Sequence, residues 1–445
     1  MSAEHAEPES SEPRLVRAIG PWALGANAVN LTVAAGIFAL PAVVAAILGP
    51  AAILAYLICG VLIVLVLACF AEVGSHVSTS GGAIAYVEEA FGPLAGFLTW
   101  VLLGIGFSVA SDAAIANVMV DSLASLAPAL GSGALRVLVL VSVFGGLAAV
   151  NIRGVRQGTR LSVATTVAKL LPLALIVVLG AFVLQWRNLA WTGWPSGSQL
   201  GAAALVLFFA FSGAEGALTP SGEIRDPART VPRGMLGAAA AIALLYMALQ
   251  LTAQGVLGSD LALHADAPLV EVAGRIAGAA GRGVVLVCIV VAVFGALAAD
   301  MIGAPRGFLV VAESGLLPRA LAALHPRFRT PWISIIVFAG LALVLAVTGA
   351  FRQLAVLSSM ALLLVYLGVC LSALKLRYTR ARVPGSFRMP GGPVVALLAS
   401  ATVVWLLAHS TWRETTAIAS LIAIAIVYYG FRRYLGMRPA VLPER

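Results

Sequence analysis

The sequence predicts an all-α polytopic membrane protein with twelve transmembrane helices. The composition is the first observation, because 61% of the 445 residues are hydrophobic and only 11% are charged, whereas soluble proteins carry about 25% charged residues. The second is the spacing of apolar windows long enough to cross a bilayer. These twelve windows fall at about 22–47, 51–72, 92–120, 134–151, 161–184, 200–221, 234–256, 283–310, 332–349, 354–375, 393–409 and 415–434.

The distribution of positive charge is the third observation, and it also predicts the orientation. Between the windows, 21 Arg and Lys residues lie on the side that holds both termini and 6 lie on the other side. The positive-inside rule therefore predicts cytoplasmic termini. The net charge of +9 follows this asymmetry, so it indicates membrane orientation and no nucleic-acid partner. Residues 1–17 are predicted to be a disordered cytoplasmic tail, and 435–445 a second cytoplasmic tail.

Two predicted spans contain helix-breaking residues at membrane depth. The first span carries the small residues Val33-Ala-Ala-Gly36 followed by Pro41, and the sixth carries Gly213, Gly216 and Pro220. Proline removes a backbone donor, and glycine lowers helix propensity by about 1 kcal/mol relative to alanine. Both spans are therefore predicted to be interrupted.

The two interruptions are five helices apart, at corresponding places in two successive five-helix halves. This pattern is typical of transporters built from inverted repeats, in which discontinuous helices form the binding site. Amides freed at a helix N-terminus suit a carboxylate, and freed carbonyls suit an ammonium. The alternative is that glycine and proline merely kink the two helices. The coincidence of two breaks in register favours a binding site.

Lys169 lies inside the fifth predicted span, and the chain has only one other lysine, Lys375. It stands nine residues after Arg160, roughly 13 Å along a helix. An ammonium at that depth is costly unless it is paired, hydrated or deprotonated. Lys169 is therefore predicted to be functional, with a structural ion pair or a packing anchor as the alternative.

Three acidic residues are also predicted to lie within spans. Glu215 either relays protons or caps broken backbone, and the two readings are equally supported. Asp112 could bind a cationic side chain of the substrate. The favoured interpretation is that it is an acid at a helix end near the outer interface. Asp300 is expected near the cytoplasmic end of the eighth span, paired with a loop arginine. No cluster of acids is expected to face the breaks, which favours neutral or small substrates over polyamines.

Several other functions are disfavoured by the sequence. The five histidines are scattered, so no metal site is predicted, and neither a nucleophile–base pair nor a cofactor motif is present, so no enzymatic activity is expected. Cys59, Cys69, Cys288 and Cys370 fall within apolar runs and are predicted to be core residues. No ring of pore-lining charges indicates a channel.

Five motifs in order resemble those of the amino acid–polyamine–organocation superfamily of permeases. They are Val33-Ala-Ala-Gly-Ile-Phe38, Ser80-Gly-Gly-Ala-Ile-Ala-Tyr86 with the following Ala90–Gly96, Phe209-Ala-Phe-Ser-Gly-Ala-Glu215, Gly222–Gly234, and Arg306 with Ala312–Pro318. The resemblance covers about 18–435. It implies a LeuT-type fold, with a first inverted repeat at 18–184, a second at 185–376, and two additional helices at 377–434.

The resemblance also implies a substrate site. The substrate carboxylate would meet the amides of Ala34, Ala35 and Gly36, and the amino group would meet the carbonyls of Val33, Phe209, Ala210 and Ser212. Phe211 is also predicted to be a substrate-binding residue. Phe209 takes the position of a gating aromatic, and Lys169 that of the lysine found in sodium-independent members. Two departures alter the pocket: Ala34 replaces a glycine, and Ala214 replaces a bulky aromatic residue.

Together these features predict a secondary active amino acid permease that works by alternating access in the cell membrane. Sodium coupling is not expected, because the eighth span reads Val290–Asp300 without a hydroxyl ligand. Proton coupling is expected instead, with Lys169 and Glu215 as the coupling residues and with protons, an amino acid and the lipid bilayer as partners. The alternatives are an exchanger of amino acids or polyamines and, less favoured, an amino acid sensor with a transporter fold.

Overall fold

The protein is built from α-helices, as a computed structural model of the chain shows. The structure describes residues 19–76, 81–154, 159–191, 193–218, 224–265, 267–379 and 387–435, with side chains from Ala168 onward in the helix that begins at Thr159. No β-strand occurs among these residues; an isolated parallel bridge pairs Ile19 with Ile224. The predicted tails lie outside the described residues, except for Leu435.

The described part of the chain forms fifteen α-helices. They are α1 Pro21–Thr32, α2 Gly36–Leu48, α3 Ile53–His76, α4 Ala83–Phe91, α5 Pro93–Val101, α6 Ala110–Ala124, α7 Gly133–Arg153, α8 Thr159–Gly180, α9 Gly197–Leu207, α10 Pro227–Leu257, α11 Pro268–Glu313, α12 Trp332–Thr348, α13 Phe351–Thr379, α14 Gly392–Leu407 and α15 Trp412–Tyr434.

Eight helical segments of the described chain are long and apolar enough to cross a membrane, so this is a multi-pass membrane protein. They are Gly36–Ser75, Pro93–Ala124, Gly133–Arg153, Gly197–Leu218, Pro227–Leu263, Pro268–Glu313, Phe351–Thr379 and Trp412–Tyr434. Three shorter apolar helices cover Ala168–Gly180, Trp332–Thr348 and Gly392–Leu407. The all-α membrane class is thus confirmed, and the count of twelve, the domain boundaries and the inverted repeat stay predictions.

Two regions differ from the sequence-based expectation. The segment before the third span, predicted as a loop, contains the helix α4, which ends where Gly92 adopts a positive φ of 90°. The eighth window begins at 283, whereas α11 begins at Pro268 and is interrupted at Ala277 and Gly278. Gly278 has a φ of 62°, a conformation that glycine adopts without steric penalty, so the chain turns there before the long apolar part.

The third span contains a π-helical turn between α5 and α6. Leu102–Val109 form this segment, and it continues into α6 without a loop. A π turn inserts extra backbone into a helix and changes which side chains face a neighbouring element. Here it packs against α11, α12 and α13, and Asp112 follows it directly in α6.

Close helix contacts in the core depend on small residues. A Cβ on Gly25 of α1 would lie 3.0 Å from the carbonyl oxygen of Gly234 in α10, and one on Gly234 would lie 2.9 Å from the carbonyl of Pro21. Without water to drive association, membrane helices pack tightly through such residues. α1 is therefore held directly against α10. The four cysteines are free and buried, which confirms their assignment to the core.

A buried ion pair joins three elements at one end of the helix bundle. Arg377 Nη1 of α13 lies 3.1 Å from Glu72 Oε2 of α3, and the backbone N–H of Met389, just before α14, donates to the same oxygen at 3.1 Å. The side chain of Glu72 is 2% exposed and that of Arg377 is 16% exposed. Removing one partner of such a pair leaves the other charge buried and uncompensated.

We expect Arg377→Met to destabilise the protein by about 3 kcal/mol, because the Glu72 carboxylate would lose its counter-ion. The apparent melting temperature in detergent measures this loss. Glu72→Gln/Arg377→Met should restore part of the stability, since neither charge remains. Arg229→Gln is the control, because Arg229 and Asp226 form an exposed pair at 3.7 Å that contributes at most about 1 kcal/mol. Equal melting temperatures for Arg377→Met and Arg229→Gln would contradict the prediction.

Candidate functional site

The first predicted helix break is present. α1 ends at Thr32, and α2 begins at Gly36 after a non-helical Val33 with φ −75° and ψ 80°. The Ala34 amide bonds to the carbonyl of Thr32 at 2.8 Å. The first amides of α2 have no carbonyl one turn earlier within the same helix, as at every helix N-terminus. Val33, Ala35 and Gly36 are buried, and Ala34 is partly exposed.

The second break interrupts the next predicted discontinuous span. α9 ends at Leu207, and tighter 3₁₀ turns follow at Phe208–Phe211 and Ala214–Leu218. Between them Ser212 is extended, with ψ 158°, and Gly213 has a φ of 108°. Only glycine adopts that φ readily. The Ser212 hydroxyl donates to the Phe209 carbonyl at 2.6 Å.

The two breaks touch each other through their glycines. A Cβ on Gly36 would lie 3.0 Å from both Ala210 Cα and Phe209 Cδ1, and a Cβ on Gly213 would lie 2.9 Å from the Leu31 carbonyl oxygen. The structure thus brings together the two segments that contain all eight residues predicted to bind substrate. Helix N-terminal amides and non-helical carbonyls meet at one buried point, where they can hold groups of opposite charge.

Aromatic side chains surround this point. Phe209 is buried and packs edge-on against Phe351 at the start of α13, with ring centroids 5.9 Å apart. Phe211 packs edge-on against Tyr246 of α10 at 5.2 Å, and Phe208 against Tyr366 of α13 at 5.7 Å. The second break is therefore held between α10 and α13 by the ring contacts of three phenylalanines within four residues.

Glu215 ties the second break to α13. Its Oε2 accepts a hydrogen bond from the Tyr366 hydroxyl at 2.5 Å and another from the Gly213 N–H at 3.1 Å. This geometry satisfies a backbone amide that the break leaves without a helical partner. The sequence left two roles open for Glu215, proton relay and capping of broken backbone. The hydrogen bonds observed here are those of a cap.

Lys169 is connected to the first break. It is 6% exposed, and its Nζ donates to the backbone carbonyl of Asn30, in the last turn of α1. From α11, the Cys288 thiol donates to the Lys169 carbonyl at 3.5 Å. Among the described residues, Lys169 has no carboxylate partner in an ion pair, so a neutral backbone dipole is its hydrogen-bond partner. The structural ion pair considered from the sequence is not formed there.

Three residues at the breaks were missed by the sequence reasoning. Tyr246 donates to the Thr32 carbonyl at 3.1 Å, Tyr366 donates to Glu215, and Asn30 accepts from Lys169. The sequence did offer a signal, because Tyr246, Tyr366 and Asn30 are polar residues inside apolar spans. It was not decisive, because tyrosine occurs at many buried positions, and Asn30 contributes only its backbone carbonyl.

Asp112 and Asp300 lie elsewhere than expected. Asp112 is 2% exposed and stands twelve residues before the end of α6, so it is not an acid at the outer helix end. Asp300 stands thirteen residues before the end of α11 and forms no ion pair with an arginine among the described residues. The expectations failed because span windows fix neither the true helix length nor the direction in which a side chain points.

The described residues contain no group of three or more His, Cys, Asp or Glu side chains placed to hold a metal ion. The charged groups near the breaks are instead the isolated Lys169 and the three carboxyls of Asp112, Glu215 and Asp300.

Comparison with known proteins agrees with this architecture. The family described as amino acid permease matches residues 19–431. The serine/threonine exchanger SteT of Bacillus subtilis is 27% identical over 423 residues, which are 91% of this chain and 94% of the relative. The methylthioribose transporter of the same organism is 26% identical over 89% of both chains. An uncharacterized transporter of Mycobacterium tuberculosis is 30% identical over 91% of this chain and 89% of its own.

These relatives are named as transporters or exchangers, which fits a helical membrane protein with two helix breaks in contact. The resemblance inferred from the motifs is confirmed over nearly the whole length. The chain belongs to the amino acid permease family of the amino acid–polyamine–organocation superfamily.

Proposed function

We propose that the protein is a secondary active amino acid permease that works by alternating access in the cell membrane, with both termini cytoplasmic. The observation that supports this most is the direct contact of the two helix breaks at Gly36–Ala210 and Gly213–Leu31. Irregular backbone at membrane depth is tolerated where it is buried in protein or lines a cavity, and paired breaks of this kind form substrate sites in transporters.

The substrate's α-carboxylate would bind the amides of Ala34, Ala35 and Gly36, where the N-terminus of α2 carries partial positive charge. In the conformation observed the Ala34 amide donates to the Thr32 carbonyl at 2.8 Å, so substrate binding would replace that hydrogen bond. The α-ammonium would bind carbonyls of the two breaks. In the conformation observed, the Phe209 carbonyl accepts from both the hydroxyl and the amide of Ser212, at 2.6 and 3.4 Å. The carbonyls of Val33, Ala210 and Phe211 are then the better acceptors for an ammonium.

Coupling is assigned to Lys169, without sodium. When protonated, its ammonium donates to Asn30 and holds α8 against the end of α1. Loss of that proton weakens the hydrogen bond, because charged donors form the stronger ones. Protonation would thereby control the freedom of α1 relative to α8. Glu215 would keep the second break ordered through Tyr366 and Gly213 during the cycle.

A second candidate is amino acid exchange without net proton movement. It is favoured by the similarity to a relative named as a serine/threonine exchanger. In that case Lys169 is a fixed charge, and one amino acid leaves for each that enters. A sensor with a transporter fold would bind an amino acid at the same breaks and move none across the membrane.

A transport assay in liposomes separates these functions. Purified protein in liposomes should take up a labelled amino acid, and an unlabelled amino acid inside should accelerate entry, because a carrier reorients faster when loaded. Replacing sodium by choline should leave the rate unchanged. Uptake driven by a pH gradient in the absence of internal amino acid indicates proton coupling, and its absence indicates exchange. Binding without any flux would contradict both permease proposals.

The second prediction concerns the break itself. Gly213→Ala should reduce uptake by at least about tenfold, because a φ of 108° is strained for alanine and the new Cβ would meet the Leu31 carbonyl. Gly145→Ala is the matched control, since nothing lies within 4 Å of a Cβ there. Rates are normalised to monodisperse protein. Equal uptake by both variants would show that the break geometry is not required.

The third prediction concerns Lys169. Lys169→Ala should reduce the accumulation of amino acid driven by a pH gradient by about tenfold or more. No amine that can exchange a proton would remain next to α1. Lys375→Ala is the control, because Lys375 is exposed and lies over the Phe91 ring at 5.0 Å. Exchange without a gradient is measured in the same vesicles. Accumulation by Lys169→Ala that still follows the pH gradient would refute the role as proton carrier.

A further inference from the structure

Two carboxyls lie on helices that pack against each other inside the bundle. Asp112 of α6 and Asp300 of α11 are close enough for direct electrostatic repulsion, and Asp300 acts in the same way on Glu215 at the second break. α11 packs against both α6 and the π-helical turn that precedes it. The three acids thus form a short path from the break to the contact between α6 and α11.

The carboxyl of Asp112 lacks the partners that a buried acid requires. Its Oδ2 is buried and has no hydrogen-bond partner among the described residues, although the residue is only 2% exposed. Asp300 is partly exposed, and the hydroxyl of Ser108 is its hydrogen-bond donor. Buried polar groups in proteins are almost always hydrogen-bonded. A buried, unsatisfied carboxyl oxygen within electrostatic range of a second carboxyl therefore indicates a binding position.

Three cations on α11 and on the helices that contact α6 or α11 are engaged elsewhere. Lys169 donates to the Asn30 carbonyl, Arg136 pairs with Asp121 at 2.6 Å, and Arg306 donates to the carbonyl of Ile302. No ion pair involves Asp112 or Asp300 in the described parts of the chain. Two adjacent carboxylates repel each other, and a positively charged ligand group between them would remove that repulsion and satisfy the free oxygen.

The π-helical turn contributes to this arrangement. It spans Leu102–Val109, so Ser108 lies within it and Asp112 follows three residues after its end. The extra residue of a π turn rotates the part of the helix that follows. In this chain Ser108 and Asp112 lie on the stretch of the third span that packs against α11.

We propose that Asp112 and Asp300 form a subsite for the cationic side chain of the substrate, so that the permease carries basic amino acids. The proposal rests on the function proposed above and names its substrate class. The α-amino and α-carboxyl groups would bind at the helix breaks, and the side chain would extend past Glu215 to the two aspartates. This revises the expectation of neutral or small substrates, which assumed that no acids gather near the breaks.

The test compares lysine with norleucine, which has the same carbon chain without the terminal amine. Thermal stabilisation of the purified protein and competition against uptake are measured for both ligands. Wild-type protein should prefer lysine by about tenfold or more. Asp112→Asn and Asp300→Asn should each reduce that preference about tenfold, through weaker lysine binding and unchanged norleucine binding. Asp260→Asn is the control, because Asp260 is an exposed acid in the 3₁₀ turn Gly258–Leu263 that follows α10.

Each outcome decides one proposal separately. Uptake of norleucine with no preference for lysine, or a preference that survives in both variants, would overturn the cation subsite and leave the permease intact. Stabilisation by lysine that Asp112→Asn abolishes, in a protein that moves no amino acid, would support the subsite and overturn the permease. Loss of norleucine binding in the variants would show a general structural role for the aspartates, which also overturns the subsite.

Discussion

Backbone amides and carbonyls that leave a helix inside a membrane must find partners without water, and the structure is organised around this requirement. Each unsatisfied group costs several kcal/mol in hydrocarbon. Tyr246 donates to the Thr32 carbonyl, Lys169 to the Asn30 carbonyl, and Glu215 accepts from the Gly213 amide. These groups come from α10, α8 and the second break, so three separate elements support one small region. The groups that remain at the N-terminus of α2 are those that a ligand can use.

The same contacts connect the site to the elements that surround it. α1 is held against α10 through Gly25 and Gly234, whose backbones approach closely. It is also held against α8 by Lys169. Because Lys169 contacts the backbone next to the first break, a change in its protonation acts directly on the helix that would bind the substrate carboxylate. Coupling therefore needs no long pathway through the protein.

Charge within the bundle gives the site its chemical character. The described interior near the breaks holds the three carboxyls of Asp112, Glu215 and Asp300 and the single ammonium of Lys169, and these do not pair with one another. Glu215 is satisfied by the Tyr366 hydroxyl and a backbone amide, whereas one oxygen of Asp112 is not. The difference separates an acid that stabilises the fold from one available to a ligand. Under the proposed function, selectivity and architecture would be carried by different carboxyls.

The sequence by itself determined the helical membrane class, the family and the positions of both breaks. Glycine and hydrophobicity act locally, and their effects are readable residue by residue, whereas Pro41 lies inside α2 and does not form the first break. It also identified Lys169 as a buried charge, since its depth follows from helical rise. The partners of that lysine, the tyrosines that cap the breaks, and the approach of Asp112 to Asp300 were decided only by the tertiary structure. Those contacts join residues far apart in the chain, and they depend on how each helix is rotated about its own axis, which no hydrophobic window encodes.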